Sequence, residues 1–322
     1  MTTLETAPLV RADDVSVSFS RRVGMKVQTV RAVDRLTLEI AAGEVLSLVG
    51  ESGCGKSTAG RALLGATPLT DGRVLYQGED IGKVRARRWR SLRREMQMVF
   101  QDPYSALDPK LTIREIVAEP LRIHRLATGE ALDRRVDEML ELVGFPVSSR
   151  DRYPHSFSGG QRQRIVLARA LILNPRFVVA DEATSALDVS IQAQIVNLMQ
   201  DLRRELGLAY LFISHNLAVV RHLSDRVGIM YLGRLVEIGT NDDIFGNALH
   251  PYTEGLLASV PRPDPAQRHE HAVLSGELPN AINPPSGCHF RTRCPFAVDK
   301  CAHERPPLTV RSPGHFVACW VR

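Results

Sequence analysis

The stretch GESGCGKS at residues 50–57 decides the fold of this 322-residue chain. It fits the pattern G-x-x-x-x-G-K-S, which is typical of the phosphate-binding loop of nucleotide hydrolases. An apolar run of strand length, residues 45–49, precedes it, and a segment of helical character, residues 57–64, follows it. The alternative is a chance glycine loop before a helix. A strand, a glycine-rich loop and a helix in this order favour the phosphate-binding loop.

The residue types in this loop suit the binding of phosphate and magnesium. Its glycines carry no side chain, so successive backbone N–H groups can face phosphate oxygens, and the helix dipole adds a positive field. Lys56 is expected to contact the β- and γ-phosphates of ATP, and the Ser57 hydroxyl is expected to bind Mg²⁺. The nucleotide-binding residues predicted in this stretch are Gly50, Ser52, Gly53, Gly55, Lys56, Ser57 and Thr58.

The composition is that of an ordinary soluble protein, with 24% charged and 44% hydrophobic residues. No apolar run approaches the ~20 residues that a membrane-spanning helix needs. Residues 1–10, an expected N-terminal tail, lack the basic and apolar regions of a secretory signal. We therefore expect a cytosolic location for the chain.

The net charge is +5, and much of the excess lies in the basic segment at residues 85–94. Such a segment can bind nucleic acid or an anionic membrane surface. It can also be the solvated face of a helix, and its short length favours this second interpretation. We expect no nucleic-acid partner.

Polar residues follow three further apolar runs of strand length, and each is a candidate for the nucleotide site. Asp181 and Glu182 end the run at residues 177–182, where Asp181 could hold Mg²⁺ through water and Glu182 could polarise the attacking water. Gln101 follows the run at 96–100 and could touch Mg²⁺ or that water, or could simply be a polar turn residue. His215 follows the run at 209–213 and could hydrogen-bond the γ-phosphate, although a lone histidine is more often structural.

Two more features complete the set of motifs. Phe19 ends a predicted strand at residues 11–19, and its ring could stack on adenine or could be an ordinary strand-end aromatic. Residues 112–150 are predicted to be helical and form an insertion between strand-rich parts. The sequence SGGQ at residues 158–161 opens a helix predicted over 162–173, and its start exposes backbone N–H groups to an anion.

The order of these motifs resembles the nucleotide-binding subunit of ABC transporters over about residues 10–245. The resemblance implies an α/β fold: a P-loop (RecA-like) ABC nucleotide-binding domain at 11–245 with a helical subdomain at about 102–165. It implies that Gln101 senses the γ-phosphate, that Asp181 binds Mg²⁺, that Glu182 is the catalytic base and that His215 is the switch histidine. Asp188 is implied to contact the partner subunit in the dimer. The implied signature, which closes over ATP bound on the partner, is Ser158, Gly159, Gly160 and Gln161; Phe157 before it departs from the leucine of many members.

Further stretches are similar to the ATPases of dipeptide and oligopeptide importers. They are FQDPYSALDP at 100–109, HPYT at 250–253, Val260-Pro261 and GCHFRTRCPF at 287–296. Tyr104 suggests the F-type member of an ATPase pair, whose usual neighbour is a D-type subunit.

This resemblance implies uptake of short peptides by a complex at the cytoplasmic face of the membrane, with this chain peripheral. Its expected partners are a second ATPase, which is the D-type subunit of a heterodimer, two transmembrane permease subunits and an extracytoplasmic peptide-binding protein. There are two alternatives. One is an importer of nickel or another solute, and the other is a soluble ABC protein of translation or DNA repair.

Four of the five cysteines lie in an expected C-terminal extension at residues 246–322, with the spacing C-x5-C-x6-C-x17-C. A reducing cytosol disfavours disulfides, and the tight pairs usual for structural zinc are absent from this spacing. A [4Fe–4S] cluster, a Zn²⁺ ion and free thiols are the possibilities, and the resemblance implies the cluster. Its ligands would be Cys288, Cys294, Cys301 and Cys319.

Overall fold

The computed structural model describes residues 7–24, 26–185, 187–259, 276, 277 and 279–322. The Val260-Pro261 stretch used above therefore lies outside the described residues. The strands are β1 Val10–Val23, β2 Lys26–Ile40, β3 Val45–Val49, β4 Asp71–Tyr76, β5 Glu79–Asp80, β6 Met96–Val99, β7 Phe177–Asp181, β8 Ala209–Ile213, β9 Arg226–Tyr231, β10 Arg234–Thr240, β11 Thr309–Ser312 and β12 His315–Val317.

The helices alternate with these strands along much of the chain. They are α1 Lys56–Leu63, α2 Ala86–Glu95, α3 Pro103–Ala106, α4 Ile113–Ile123, α5 Gly129–Leu142, α6 Gly159–Leu171, α7 Val189–Leu206, α8 Leu217–Leu223, α9 Asn241–Gly246, α10 Pro251–Ala258 and α11 Asp299–His303. Short 3₁₀ turns lie at residues 81–83, 147–149 and 154–156. Across the described ranges, no helix is both long enough and apolar enough to cross a bilayer.

The central sheet has eight strands in the order β11-β12-β10-β9-β3-β8-β7-β6. The five strands from β9 to β6 run parallel, and β10, β12 and β11 continue the sheet in antiparallel register. All five residues of β3, β7 and β8 are buried, as expected for parallel strands that are covered on both faces. The carboxyl ends of these parallel strands meet at one edge, where ligands bind in open α/β sheets.

The side chains of β3 alternate between two hydrophobic cores. Leu46 and Leu48 pack with α1 and with a second sheet, whose antiparallel strands have the order β2-β1-β4-β5. Val45 and Val49 face the other core, which α4 to α7 help to build. The central sheet is therefore sandwiched between a small antiparallel sheet and a helical layer.

The helical layer begins and ends at well-capped residues. Thr112 and Glu115 form a reciprocal capping box at the start of α4, which confirms the predicted N-cap. The helix predicted over 162–173 runs from Gly159 to Leu171, because Ser158 and Gln161 form a second capping box. The two glycines are therefore inside the helix, not before it.

The basic segment forms α2, in which Leu92 is the buried residue. Arg88 pairs with Glu79 at 2.8 Å and with Glu95 at 2.7 Å. Most of the remaining arginines face solvent, which agrees with the interpretation of a solvated helix face.

The C-terminal extension joins the central sheet through β12. His315 of β12 contacts Glu237 of β10, with 2.8 Å between Nε2 and Oε1, and both side chains are buried. The backbone N–H groups of Leu249 and His250 also donate to the Glu237 carboxylate. This buried acid therefore connects the nucleotide domain to residues beyond the boundary expected at 245.

Candidate nucleotide-binding site

The glycine loop runs from the end of β3 to the start of α1 and passes close to other backbone. A Cβ atom on Gly50 would lie 2.2 Å from the Met230 carbonyl oxygen, and one on Gly55 would lie 2.0 Å from the carbonyl oxygen of Ala32. Gly55 also has a φ of +103°, in the region that favours glycine. Glycine is therefore required at these two positions by close packing and by backbone conformation.

Lys56 is the first residue of α1 and is buried, with 4% of its surface exposed. Its ammonium group donates to the carbonyl oxygens of Gly50 at 2.8 Å and of Glu51 at 3.0 Å. These bonds keep the charge of Lys56 at the loop, beside the backbone N–H groups at the start of the helix. A positive site of this kind attracts phosphate.

Ser57 joins the loop to the end of β7. Its hydroxyl donates to Asp181 Oδ1 at 2.7 Å, and the guanidinium of Arg61 lies 4.0 Å from the other carboxylate oxygen. Burial raises the pKa of Asp181, and the hydrogen bond from Ser57 opposes that effect. A hydroxyl and a carboxylate in contact offer the oxygen ligands that Mg²⁺ prefers.

Glu182 receives contacts from the other two strand-end residues. Gln101 Nε2 donates to Glu182 Oε2 at 2.8 Å, and His215 Nδ1 lies 3.4 Å from Glu182 Oε1. The backbone of Glu182 has a φ of +47°, which is unfavourable for a residue with a side chain. Its N–H donates to the Ile213 carbonyl oxygen at 2.9 Å, which helps to keep it there. Strained backbone of this kind is concentrated at functional sites.

Several of these residues line one cavity of about 250 Å³ at the carboxyl edge of the central sheet, whereas Gly50, Asp181 and His215 are not part of its described wall. The predicted residues that line it are Ser52, Gly53, Gly55, Lys56, Ser57, Thr58, Gln101 and Glu182. Val30, Arg31, Ala32, Leu232, Gly233 and Ala281 complete the described part of the wall. Motifs separated by up to 130 residues along the chain thus meet at one place.

The signature and Asp188 lie elsewhere and do not line the described wall of this cavity. Gly160 packs against α7, where a Cβ atom would lie 2.4 Å from Ile191, so the signature fixes the contact between α6 and α7. Asp188 is the exposed N-cap residue of α7. The roles of these residues in a dimer stay predictions.

Phe19 lies in β1 and is 51% exposed. Its cross-strand neighbour is Val30, which lines the cavity, whereas Phe19 is not part of the described wall. Its stacking on adenine stays a prediction.

The four C-terminal cysteines are free thiols that lie close enough to influence one another. Burial, together with smaller effects of the other three sulfurs, raises the pKa of Cys288 to about 11. The backbone N–H groups of Phe290 and Phe296 lower the pKa of Cys288 and Cys294, and that of Val321 donates to Cys319 Sγ at 3.4 Å. Within the described ranges, no three His, Cys, Asp or Glu side chains form a set that could hold a single metal ion.

Sequence reasoning missed the contact between this extension and the phosphate loop. Arg293 forms two hydrogen bonds with the Glu51 carboxylate, at 2.8 and 3.0 Å, and the N–H of Glu51 donates to the Tyr252 hydroxyl at 3.0 Å. The two charged residues are 242 positions apart, and no local pattern indicates that they pair. Ala281, also in the extension, was missed for the same reason.

Comparison with known proteins agrees with this geometry. Residues 33–185 match the family model of ABC transporters, and residues 236–301 match the model of the C-terminal region of oligopeptide/dipeptide transporters. The oligopeptide transport ATP-binding protein OppF of Salmonella typhimurium is 51% identical over 97% of this chain and 95% of its own length. A putative oligopeptide transport ATP-binding protein of Bacillus subtilis, YkfD, is 50% identical over 97% of this chain and 95% of its own length.

Solved structures show the same fold in a related cassette. The ATP-binding cassette MJ0796, in a dimer bound to ADP and phosphate, superposes with a TM-score of 0.64 at 28% identity, covering 72% of this chain and 98% of that chain. The predicted α/β fold of a P-loop ABC nucleotide-binding domain is confirmed, and the chain is an ATPase of the ATP-binding cassette type. The chain belongs to the ABC transporter family, as an ATP-binding subunit of the oligopeptide transport type.

Proposed function

We propose that this chain hydrolyses ATP to drive the uptake of di- and oligopeptides across the cytoplasmic membrane. The observation that carries the proposal is the convergence of Ser57, Asp181, Gln101, Glu182 and His215 at one edge of the sheet. The cargo follows from the relatives, whose names describe oligopeptide transport, and from the C-terminal region that matches over residues 236–301.

The contacts support a role for each group. The loop N–H groups and Lys56 bind the phosphates, and Ser57 and Asp181 are placed to hold Mg²⁺, which supplies positive charge to the β- and γ-phosphates. Glu182 accepts a hydrogen bond from the attacking water and polarises it. Gln101 and His215 contact the two carboxylate oxygens of Glu182 and so fix its orientation.

A second ATPase subunit completes the site in this proposal. The signature at 158–161 begins α6 away from the cavity of its own chain, so its exposed residues Ser158 and Gln161 are available to ATP bound on another chain. The MJ0796 cassette was solved as a dimer. We expect a D-type ATPase as the partner in a heterodimer.

A groove beside Gln101 is the proposed contact with the transmembrane subunits. It has a volume of about 530 Å³ and lies between α2, β6, α4 and α6, with Trp89, Phe100 and Ile123 among its lining residues. Phe100 is 46% exposed and Ile123 is 68% exposed, so the groove offers apolar surface to a partner. The subunit would then lie at the cytoplasmic face of the membrane, and a peptide-binding protein would deliver cargo on the other side.

The test is Glu182→Gln in the complete transporter. Loss of the base should lower ATP hydrolysis by about 100-fold or more, while ATP binding persists, because the phosphate contacts are unchanged. Uptake of a radiolabelled tripeptide into proteoliposomes that contain the complex and its binding protein should stop. Lys56→Ala should instead lose ATP binding. Normal turnover in Glu182→Gln would contradict the assignment of the base, and uptake of Ni²⁺ in place of the tripeptide would contradict the cargo.

We also propose that the four C-terminal cysteines bind a [4Fe–4S] cluster. Three of the sulfurs face backbone N–H groups two residues further along the chain, and such bonds stabilise thiolates. Burial and the neighbouring cysteine sulfurs raise the pKa of Cys288 and Cys294, so these thiolates need nearby positive charge. The tight cysteine pairs usual for structural zinc are absent from the spacing of these residues, which disfavours zinc.

Iron and sulfide analysis after anaerobic purification tests this assignment. The chain should contain four irons and four sulfides and show broad visible absorbance, and Cys294→Ser should lose both. Cys54→Ser is the control, because Cys54 lies in the phosphate loop and should leave the iron content unchanged. A colourless protein with stoichiometric zinc would overturn the cluster.

A further inference from the structure

The segment between Cys288 and Cys294 contacts the phosphate loop through Arg293. This arginine is only 8% exposed, and its guanidinium forms two parallel hydrogen bonds with the Glu51 carboxylate, at 2.8 Å and 3.0 Å. Glu51 is the second residue of the GESGCGKS loop. A bidentate pair of this kind fixes both the position and the orientation of the carboxylate.

The backbone of Glu51 is fixed as well. Its N–H donates to the Tyr252 hydroxyl at 3.0 Å, and its carbonyl oxygen accepts from Lys56 at 3.0 Å. Tyr252 is fully buried, and its ring lies 4.7 Å from that of Tyr231. Two of these three anchors, Arg293 and Tyr252, belong to the C-terminal extension.

These anchors act at the start of a flexible stretch. Glycine gives residues 50–55 more backbone freedom than most sequences, so ordering them around phosphate carries an entropic cost. Fixing Glu51 limits the directions that the following backbone N–H groups can take. Preorganisation of this kind increases affinity because less freedom is lost on binding.

We propose that Arg293 is a positioning residue for ATP, which preorganises the phosphate loop by pairing with Glu51. The C-terminal extension is then a working part of the nucleotide site. Arg293 pairs with Glu51, a residue of the loop that is proposed to bind the phosphates, so we expect it to act on ATP binding. The inference rests on the proposed role of the loop in binding ATP.

Two measurements on the complete transporter test the role of Arg293. Calorimetric titration with ATP, with Glu182→Gln in this chain, gives the Kd, and steady-state hydrolysis by the complex with Glu182 intact gives KM and kcat. Arg293→Ala should raise Kd and KM about tenfold, which corresponds to ~1.4 kcal/mol, and should leave kcat within about twofold. Partial unfolding would do the reverse, since it lowers kcat and leaves KM unchanged. Arg293→Lys should have a Kd between that of the unaltered chain and that of Arg293→Ala, because an ammonium group cannot form the two parallel bonds.

Arg291→Ala is the matched control. Arg291 lies two residues earlier, and its guanidinium bonds to Ser286 within the extension, at 3.0 Å and 3.3 Å. This variant should keep the ATP affinity of the unaltered chain. The double variant Arg293→Ala, Glu51→Gln should bind ATP no more weakly than Arg293→Ala, since both changes remove the same interaction.

Four results would overturn the proposal or its basis. A KM within about twofold of the unaltered chain in soluble Arg293→Ala contradicts it, as does an equal loss in Arg291→Ala. If Arg293→Ala is insoluble, Glu51→Gln takes its place, with an expected rise of about threefold, and an unchanged KM in that variant also contradicts the proposal. Full ATP affinity in Lys56→Ala would instead show that the loop is not the ATP site, which removes the proposed function itself.

Discussion

The phosphate loop and the cysteine-bearing extension are in direct contact, but they are built in different ways. The loop is a single stretch of eight residues whose lysine bonds to carbonyls five and six positions away. The extension reaches the same loop through Arg293, which is 242 positions from its partner. One site thus has a locally encoded part and a part that depends on the whole fold.

This difference separates two kinds of information. Local residues supply the chemistry. Asp181 and Glu182 stand at the end of β7, Lys56 follows the loop after β3, and the parallel sheet brings these strand ends together. The extension supplies rigidity behind the loop, through an aromatic group formed by Tyr231, Tyr252 and Phe290. The comparison predicts that the extension and the nucleotide domain unfold together.

The largest expected effect comes from Phe290→Ala. Phe290 is 1% exposed and its ring lies 5.3 Å from that of Tyr231. Removing such a buried ring should lower the free energy of unfolding by about 3–5 kcal/mol. Chemical denaturation followed by circular dichroism should show one transition, shifted to lower denaturant.

Phe296→Ala is the control for this experiment. Phe296 lies in the same segment, but it is 42% exposed and stacks against Arg322 at the surface. Its loss should cost less than about 1 kcal/mol. A separate early transition in Phe290→Ala, with the main transition unchanged, would show that the extension is an independent unit.

A smaller effect is expected from pH, through His250. Burial lowers the pKa of His250 from 6.5 to about 3, so the folded chain keeps this ring neutral when the unfolded chain protonates it. The depressed pKa means that its full contribution to stability is present above pH 6.5 and is lost as the pH falls from 6.5 towards 3. The slope from this one group is at most ~1.4 kcal/mol per pH unit.

His250→Asn should remove that slope. Asparagine keeps a side-chain acceptor at the N-cap of α10, where His250 Nδ1 accepts from the N–H of Tyr252. Unfolding free energies measured between pH 7 and pH 4 should therefore fall less steeply in this variant. His303→Asn, an exposed position in α11, should behave like the unaltered chain. Equal slopes in all three proteins would refute the prediction.

The sequence was sufficient to predict most of the nucleotide domain, because its signals are local. Continuous apolar runs indicated β3, β7 and β8, and the residues after them gave the cavity wall. Helix α6 begins three residues earlier than predicted, at Gly159. The capping box of Ser158 and Gln161 stabilises this helix start although two glycines lie between them.

The features that the sequence did not predict depend on contacts between distant residues. β11 and β12 are four and three residues long, which is too short for alternation to be visible. Glu237 lies in an apolar strand and would be expected to face solvent, but His315 and two backbone N–H groups make its burial possible. The Arg293–Glu51 pair is another contact of this type.

Glu237 has a practical consequence for anyone who wishes to prepare a minimal ATP-binding domain. Cutting the chain after residue 245 would remove β12 and His315, together with the N–H groups of Leu249 and His250. Strand β10 would then have an unpaired edge, which promotes aggregation. The buried carboxylate of Glu237 would also lose its hydrogen-bond partners. A trimmed domain would need a redesigned edge at β10, with Glu237 replaced by an apolar side chain, before it could be expected to remain monomeric.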